Sequence, residues 1–362
     1  MKADSVKGLA IVKKGIEDIS ALEIKELIGA KTKKEDCAVI FDCSKKDLCK
    51  LCYEGRSFIR IIELLADFEF GDLDGIKNSL KKLKINDFKA ESFAARCIKE
   101  KSDVSGAEVE KIVGEFFHGN FKIKVDLENP EKTVLAFICG NKFYLGIDYS
   151  GIDLNKRDYR IFLHPAALRA DVAYAMLRIA DYKPKDVLLD PFCGSATIAI
   201  EAALFAANKS VHFYDKNKFA FLKFIDYKIK DSEKDADARI FAYDFLSHHI
   251  KSAEKNAKIA GVNKKINFSR TEVEWLDPKF GEKSVDKIVT NPPQITEQNK
   301  KEMQKIFYDF FHNASYIINK NGKIVLITNN AEFVKEVAEK EGFKAKEERA
   351  VDSLKILVFV LK

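Results

Sequence analysis

A chain of 362 residues, 46% hydrophobic and 33% charged with a net charge of +6, describes a soluble globular protein of two or three domains whose charge permits a nucleic-acid partner without demanding one. No stretch reaches ~18 uninterrupted apolar residues, so no membrane span is expected, and the opening MKADSVKGLAIVKK lacks the apolar core and cleavage site of a signal peptide. Seven cysteines, an odd number without framework spacing, point to a reducing cytoplasm rather than to disulfides.

Residues 7–13 (KGLAIVK) read as a strand, and 16–28 places Ile19, Leu22, Ile24 and Leu27 at helical spacing. A second strand is expected over 37–41 and a short helix over 45–53, while 57–65 fits either. This β-α-β opening fits a ferredoxin-like module over 1–65. Cys49 and Cys52 form a CxxC near Cys37 and Cys43, but LCKLCYEG reads as helical with apolar neighbours. Buried structural cysteines are therefore expected, and no metal. Further on, 74–83 reads as a helix and 89–98 as a strand. Ser105 and Glu108 form a capping box that opens a helix to residue 117. Strands follow at 122–125, 134–139 and 143–149. Taken alone, this second module over 66–150 could be a plain α+β scaffold. Residues 1–150 balance their acids and bases, so the charge excess lies beyond them.

Residues 151–163 read as a linker. Lys156, Arg157 and Arg160, beside Tyr159 and Tyr149, make the densest basic-aromatic cluster of the chain. Such a cluster suits phosphates and unstacked bases; a solvated charged linker is the competing reading. His164-Pro165 is expected to start a helix over 166–179.

The chain is organised around 186–204, DVLLDPFCGSATIAIEAAL. A buried strand ends in Asp190, a turn carries Gly194, and a helix with small residues follows from residue 196. That unit binds a nucleotide-like ligand at the carboxyl edge of a parallel sheet. No phosphate-cradling GxxxxGK[ST] is present. An acid holding ribose hydroxyls is due at the end of the next strand. Asp215 has the usual spacing, but Asp244 closes RIFAYD and is followed by a regular amphipathic helix and the strand 266–269. Asp244 is therefore preferred, and 212–230, with Phe219, Phe221, Phe224 and Tyr227, becomes an aromatic insert. A strand over 285–290 ends in Asn291-Pro292-Pro293. The prolines stiffen the backbone and donate nothing, leaving the Asn291 side-chain oxygen and main-chain carbonyls as acceptors for a planar amino group. The tail reads as a helix over 301–318 closed by Gly322, a strand 323–328, a helix 331–340 and a last strand 349–361. Trp275 is expected in the core.

The Asp-Pro-Phe-Cys-Gly-Ser run at 190–195 and Asn-Pro-Pro at 291–293 resemble amino-group methyltransferases that use S-adenosylmethionine. With KRDYR (156–160) and HPAAL (164–168), the chain resembles the tRNA guanine-N2 methyltransferases that carry an N-terminal THUMP domain. The resemblance implies an α/β fold: a Rossmann-like class I methyltransferase domain over 164–362, preceded by an α+β region made of the ferredoxin-like module and a THUMP RNA-binding domain over 66–150. It implies S-adenosylmethionine as cofactor, held by His164, Asp190, Phe192, Cys193, Gly194, Ser195, Thr197, Asp244, Phe245, Glu272, Val273 and Asn291. Asn291, Pro292, Pro293 and Gln294 are its catalytic set, and Lys156, Arg157, Tyr159 and Arg160 its RNA contacts. The implied substrate is tRNA, methylated at guanosine N2 in position 6 of the acceptor stem. A cytoplasmic monomer with no metal, membrane or DNA is expected. Two residues depart from the family pattern. Gln294 stands where an aromatic normally stacks on the flipped base, and Ala196 where glycine is commoner. Gln294 keeps two alternatives open: methylation of adenine N6, and a non-catalytic RNA-binding protein that retains the cofactor pocket.

Overall fold

Two sheets organise the chain, each in its own unit. The computed structural model describes residues 5–85 and 88–362. One unit comprises the residues up to Leu154 together with Tyr214–Lys230; the other comprises Asn155–Phe213 and Asp231–Lys362.

The first unit contains β1 (Ser5–Val12), α1 (Glu17–Ile28), β2 (Thr32–Glu35), β3 (Ala38–Ser44), α2 (Lys45–Glu54), β4 (Phe58–Glu69), α3 (Leu73–Lys82), β5 (Ser92–Glu100), α4 (Gly106–Phe121), β6 (Lys124–Val125), β7 (Lys132–Cys139) and β8 (Lys142–Asp148). Its eight strands lie in the order β2-β3-β1-β4-β8-β7-β5-β6. The segment 57–65, open between strand and helix in the sequence, is part of β4. This strand pairs β1 along one edge and β8 along the other, with Ile62 opposite Asp148, so the two N-terminal modules share one continuous sheet. Side chains alternate between its faces. On β7, Val134, Ala136 and Ile138 enter the large core, while Leu135, Phe137 and Cys139 enter a smaller cluster on the other face. Ser44 and Asp47 close a reciprocal capping box on α2. Ser105 accepts from the Glu108 N–H at the start of α4.

The aromatic insert packs in this unit. Phe219 and Phe221 are buried in its large core. Phe221 N–H donates to the Tyr149 carbonyl at 3.0 Å and Ala220 N–H to that of Ser150 at 3.2 Å. Cys49 and Cys52 belong to the same core, and Cys37 to the cluster on the opposite face, so these thiols do not converge. Burial pushes Cys43 and Cys49 up to about 12.

The second unit contains α5 (Ala170–Ile179), β9 (Val187–Asp190), α6 (Thr197–Ala206), β10 (Arg239–Asp244), α7 (Ser247–Ala260), β11 (Ile266–Arg270), β12 (Val285–Thr290), α8 (Lys300–Ile317), β13 (Ile318–Thr328), α9 (Ala331–Lys340), β14 (Phe343–Val351) and β15 (Leu354–Leu361). The order is β11-β10-β9-β12-β13-β15-β14, parallel from β11 to β13, with β15 antiparallel to both its neighbours. β9 is buried on both faces, which is why VLLD reads as an unbroken apolar run. Strand order reverses at β9 and β12, and ligands of open α/β sheets bind outside the carboxyl ends at such a point.

Three tail and linker expectations are corrected. α5 begins at Ala170 rather than 166, because the His164 ring and carbonyl accept from the Ala166 and Ala167 N–H groups in a tight turn instead. Gly322 is no helix cap: α8 ends at Ile317 and Gly322 sits inside β13, where the register slips against β12. A side chain there would lie 2.5 Å from Ile318 Cγ1 and 3.0 Å from the Asp286 carbonyl. The last strand is a hairpin, β14 and β15, turned at Asp352 with φ +55°. Among the described residues no helix is long and apolar enough to cross a membrane.

Candidate active site

Two turns leave the carboxyl ends of β9 and β12. The first is closed by its own hydrogen bonds. Cys193 N–H donates to the Tyr243 carbonyl at 2.8 Å, and Ala196 N–H to that of Cys193 at 2.7 Å. Gly194 N–H donates to Asp244 Oδ2 at 3.0 Å. The other oxygen of Asp244 accepts from Leu246 N–H at 2.9 Å and lies 3.0 Å from His249 Nδ1. Gly194 takes φ +51°, and a Cβ there would sit 2.3 Å from His164 Nε2, so the turn needs glycine for its backbone and for the imidazole packed on it. His164 stacks on His249 with centroids 5.0 Å apart. Burial, then the neighbouring His249, lowers the His164 pKa. Ala196 is also left-handed, at φ +61°. Asp190 is buried and accepts from Thr290 Oγ1 at 2.6 Å and from Phe192 N–H at 3.3 Å. Burial outweighs those bonds and pushes its carboxyl up to about 7.

The second turn is pinned from behind. Asn329 Oδ1 accepts from Ile295 N–H at 3.0 Å, its amide donates back to the Ile295 carbonyl at 2.7 Å, and Asn299 donates to the Gln294 carbonyl at 3.0 Å. Asn291 donates its amide to the Ala166 carbonyl at 3.0 Å. That bond sets the orientation of the side chain and leaves Asn291 Oδ1 buried without a partner. A buried acceptor with nothing to accept costs ~1–3 kcal/mol, which a donor bonded there would offset.

Cavities open beside these two turns. One, about 270 Å³, is lined by Phe192, Phe245, Thr271, Glu272, Val273 and Pro293. A narrow slot joins His164, Asp190, Cys193, Ser195, Thr197 and Asn291. The other, about 470 Å³, is lined by Pro165, Leu168, Asn291, Gln294, Val351 and Leu354. The first cavity has the size of an adenosine-type ligand; the second can admit a planar partner to Asn291.

All of the cofactor residues expected from the sequence gather at this crevice. Asp215 lies in 214–230, within the other unit, whereas Asp244 ends the strand beside β9. Trp275 is not core: it is 59% exposed. The expected RNA cluster is corrected more sharply. Arg157 Nε donates to Glu201 at 2.9 Å and Tyr159 OH to the same carboxylate at 2.9 Å, with both side chains buried against α6. No phosphate reaches them. Arg160 donates to the Leu168 carbonyl at 2.8 Å and braces the turn before α5. Lys156 alone is exposed. Sequence reasoning missed Thr290, His249 and the buried Asn256, which orient the site from behind. The only signal was that Thr290 immediately precedes Asn291.

Fold and crevice define a class I methyltransferase, a class that takes its methyl group from S-adenosylmethionine. The residues fit that cofactor: a glycine turn tied to Asp244, beside a cavity of about 270 Å³ lined by Phe192, Phe245, Glu272 and Val273. The family description "RMKL-like, methyltransferase domain" matches residues 157–356, "THUMP domain" matches 70–148 and "RlmL ferredoxin-like domain" matches 8–62. The chain therefore belongs to the RMKL-like methyltransferases with ferredoxin-like and THUMP domains. It is 31% identical to a tRNA (guanine(6)-N2)-methyltransferase of Methanocaldococcus jannaschii over 92% of this chain and 93% of that protein. It is 28% identical to one of Archaeoglobus fulgidus over 98% and 92%. Its fold is similar to the crystal structure of TrmN from Thermus thermophilus, at 22% identity and TM-score 0.71, covering 99% of this chain and 100% of that one.

Proposed function

We propose that the chain methylates the exocyclic N2 of a guanosine in tRNA, at position 6 of the acceptor stem. The observation that carries the chemistry is Asn291, an oriented amide whose buried oxygen lacks a donor. The names of the full-length relatives point to the nucleobase and position. S-adenosylmethionine, when bound, supplies an electrophilic methyl group. Glu272 and Val273 would meet its adenine, Asp244 its ribose hydroxyls, and the 190–197 turn with His164 its amino-acid end. A base inside a helix does not reach the crevice, so the nucleotide is flipped out. Asn291 Oδ1 then accepts one N2 hydrogen and the Pro292 carbonyl the other, which draws lone-pair density onto N2 and fixes its direction. Pro293 keeps that backbone rigid. Most of the rate enhancement is alignment. The extra proton on the product nitrogen leaves to solvent, so no strong base is needed.

Gln294 favours a second reading, an RNA-binding protein that keeps the pocket without turnover. Its amide can bond a base edge but cannot stack as an aromatic does. The experiment is transfer of labelled methyl from S-adenosylmethionine to an unmodified tRNA transcript, followed by nucleoside analysis. Label in N2-methylguanosine is expected. Label in N6-methyladenosine would replace the substrate assignment. No label from protein that binds the cofactor, with activity appearing in Gln294→Tyr, would favour the second reading.

A further inference from the structure

With Arg157 and Tyr159 buried, the RNA must be held elsewhere. Residues 161–163 expose three consecutive large apolar side chains: Ile161 at 63%, Phe162 at 39% and Leu163 at 47%. A soluble chain seldom leaves such a run uncovered. This one is also held rigidly. Asn256, buried in α7, accepts from the N–H groups of Ile161 and Phe162 at 3.3 and 3.0 Å. Its amide donates to the Phe162 carbonyl at 2.9 Å and to the Ser195 carbonyl at 3.2 Å. One buried side chain thus ties the exposed strip to the cofactor turn.

The neighbouring face of α7 is basic. His248, Lys251, Lys255 and Lys258 recur at helical spacing and are all exposed. Lys255 Nζ lies 4.8 Å from the Phe162 ring centroid, which joins the stripe to the strip. None of the three lysines forms an ion pair with an acid among the described residues; Glu254, exposed at the stripe's edge, is the acid nearest along the helix. Cationic side chains in a row beside an exposed ring suit a phosphate backbone whose bases are partly unstacked. An acidic protein would also match the charge, but every unstacked base offers the ring a face to stack on, which favours RNA.

We infer that α7 and residues 161–163 form an RNA track: Lys251, Lys255 and Lys258 contact consecutive phosphates, and Phe162 stacks on a base beside the cofactor turn. This rests on the RNA-methyltransferase reading. The test measures binding of an unmodified tRNA transcript and of a ribosomal RNA fragment by fluorescence anisotropy, between 50 and 200 mM salt. The triple change Lys251→Gln, Lys255→Gln, Lys258→Gln should weaken binding roughly tenfold or more and make the log K against log[salt] slope shallower by about 2. Phe162→Ala should weaken binding several-fold and leave the slope unchanged, because stacking releases no counterions. Melting temperature and S-adenosylmethionine affinity should stay at wild-type values in both variants. If the triple variant does not fold, Lys255→Gln alone should still flatten the slope by about 1. Unchanged affinity in folded variants, with wild-type protein that binds RNA, overturns the track and leaves the enzyme reading intact. Wild-type protein that binds neither RNA overturns both. Self-association that Phe162→Lys abolishes without changing RNA affinity would reassign the strip to a protein interface.

Discussion

The turn after β9 and the turn after β12 are built on opposite principles. In the first, Gly194 N–H, Leu246 N–H and His249 all converge on Asp244, and Asp190 Oδ1 accepts from both Thr290 and Phe192. In the second, every backbone anchor is satisfied from behind, and one acceptor, Asn291 Oδ1, is left with nothing. The comparison separates two tasks. On the proposed function, the cofactor would be met by a cradle already in shape, and the reacting amino group by an unsatisfied atom whose bond contributes only when the reactant is in place.

Breaking the second turn should have the largest effect. Asn291→Ala should lower kcat/KM for methyl transfer by about 10²–10³. Cofactor affinity by calorimetry should stay within about tenfold; if both fall together, Asn291 is part of the cradle. Gly194→Ala attacks the first turn. Its methyl group would occupy the space of His164 Nε2 and its φ is left-handed, a strain of ~1–3 kcal/mol. Cofactor affinity should fall about tenfold or more, since ~1.4 kcal/mol is a factor of ten, and kcat at saturating cofactor should change much less.

The third prediction concerns pH. Asp190 sits at about 7 in the folded protein against an ordinary ~3.9 unfolded. A raised carboxyl favours the folded state while it is protonated. Its contribution is full below about pH 4 and is lost as pH rises through about 7. Relative to wild type, Asp190→Asn should gain stability across that window in thermal melts while losing cofactor affinity. A pH-independent difference between the two would show that Asp190 is not the titrating group. Smallest is Ala196→Gly. It relieves a left-handed alanine but loosens the unfolded chain, so stability should rise by less than about 1 kcal/mol.

What could be read from the sequence was local. A buried run that ends in an acid, then a glycine turn and a small-residue helix, located β9 and α6. The rhythm of strand and amphipathic helix selected Asp244 over Asp215 although its spacing was unusual. What failed needed partners distant in sequence. KRDYR has the composition of an RNA contact, but Arg157 and Tyr159 answer Glu201, which lies more than forty residues on. Gly322 looked like a cap because glycine follows many helices; its true reason is an approach to the Asp286 carbonyl on another strand. Most of β14 was missed because FKAKEERAV is a charged edge strand with little apolar pattern, whereas the apolar β15 was legible.

The insert at 214–230 bears on how the chain can be cut. The polypeptide leaves the first unit after Leu154, returns for Tyr214–Lys230 and leaves again. A fragment that starts at residue 155 would carry Phe219 and Phe221 without the core that buries them, and a fragment that stops at 154 would lack two of its own core rings. The chain therefore passes between the two units more than once. Rearrangement by gene fusion or truncation at one junction would strand part of one unit inside the other, so an isolated catalytic fragment should be recovered in soluble form only after the insert has been excised and the gap bridged.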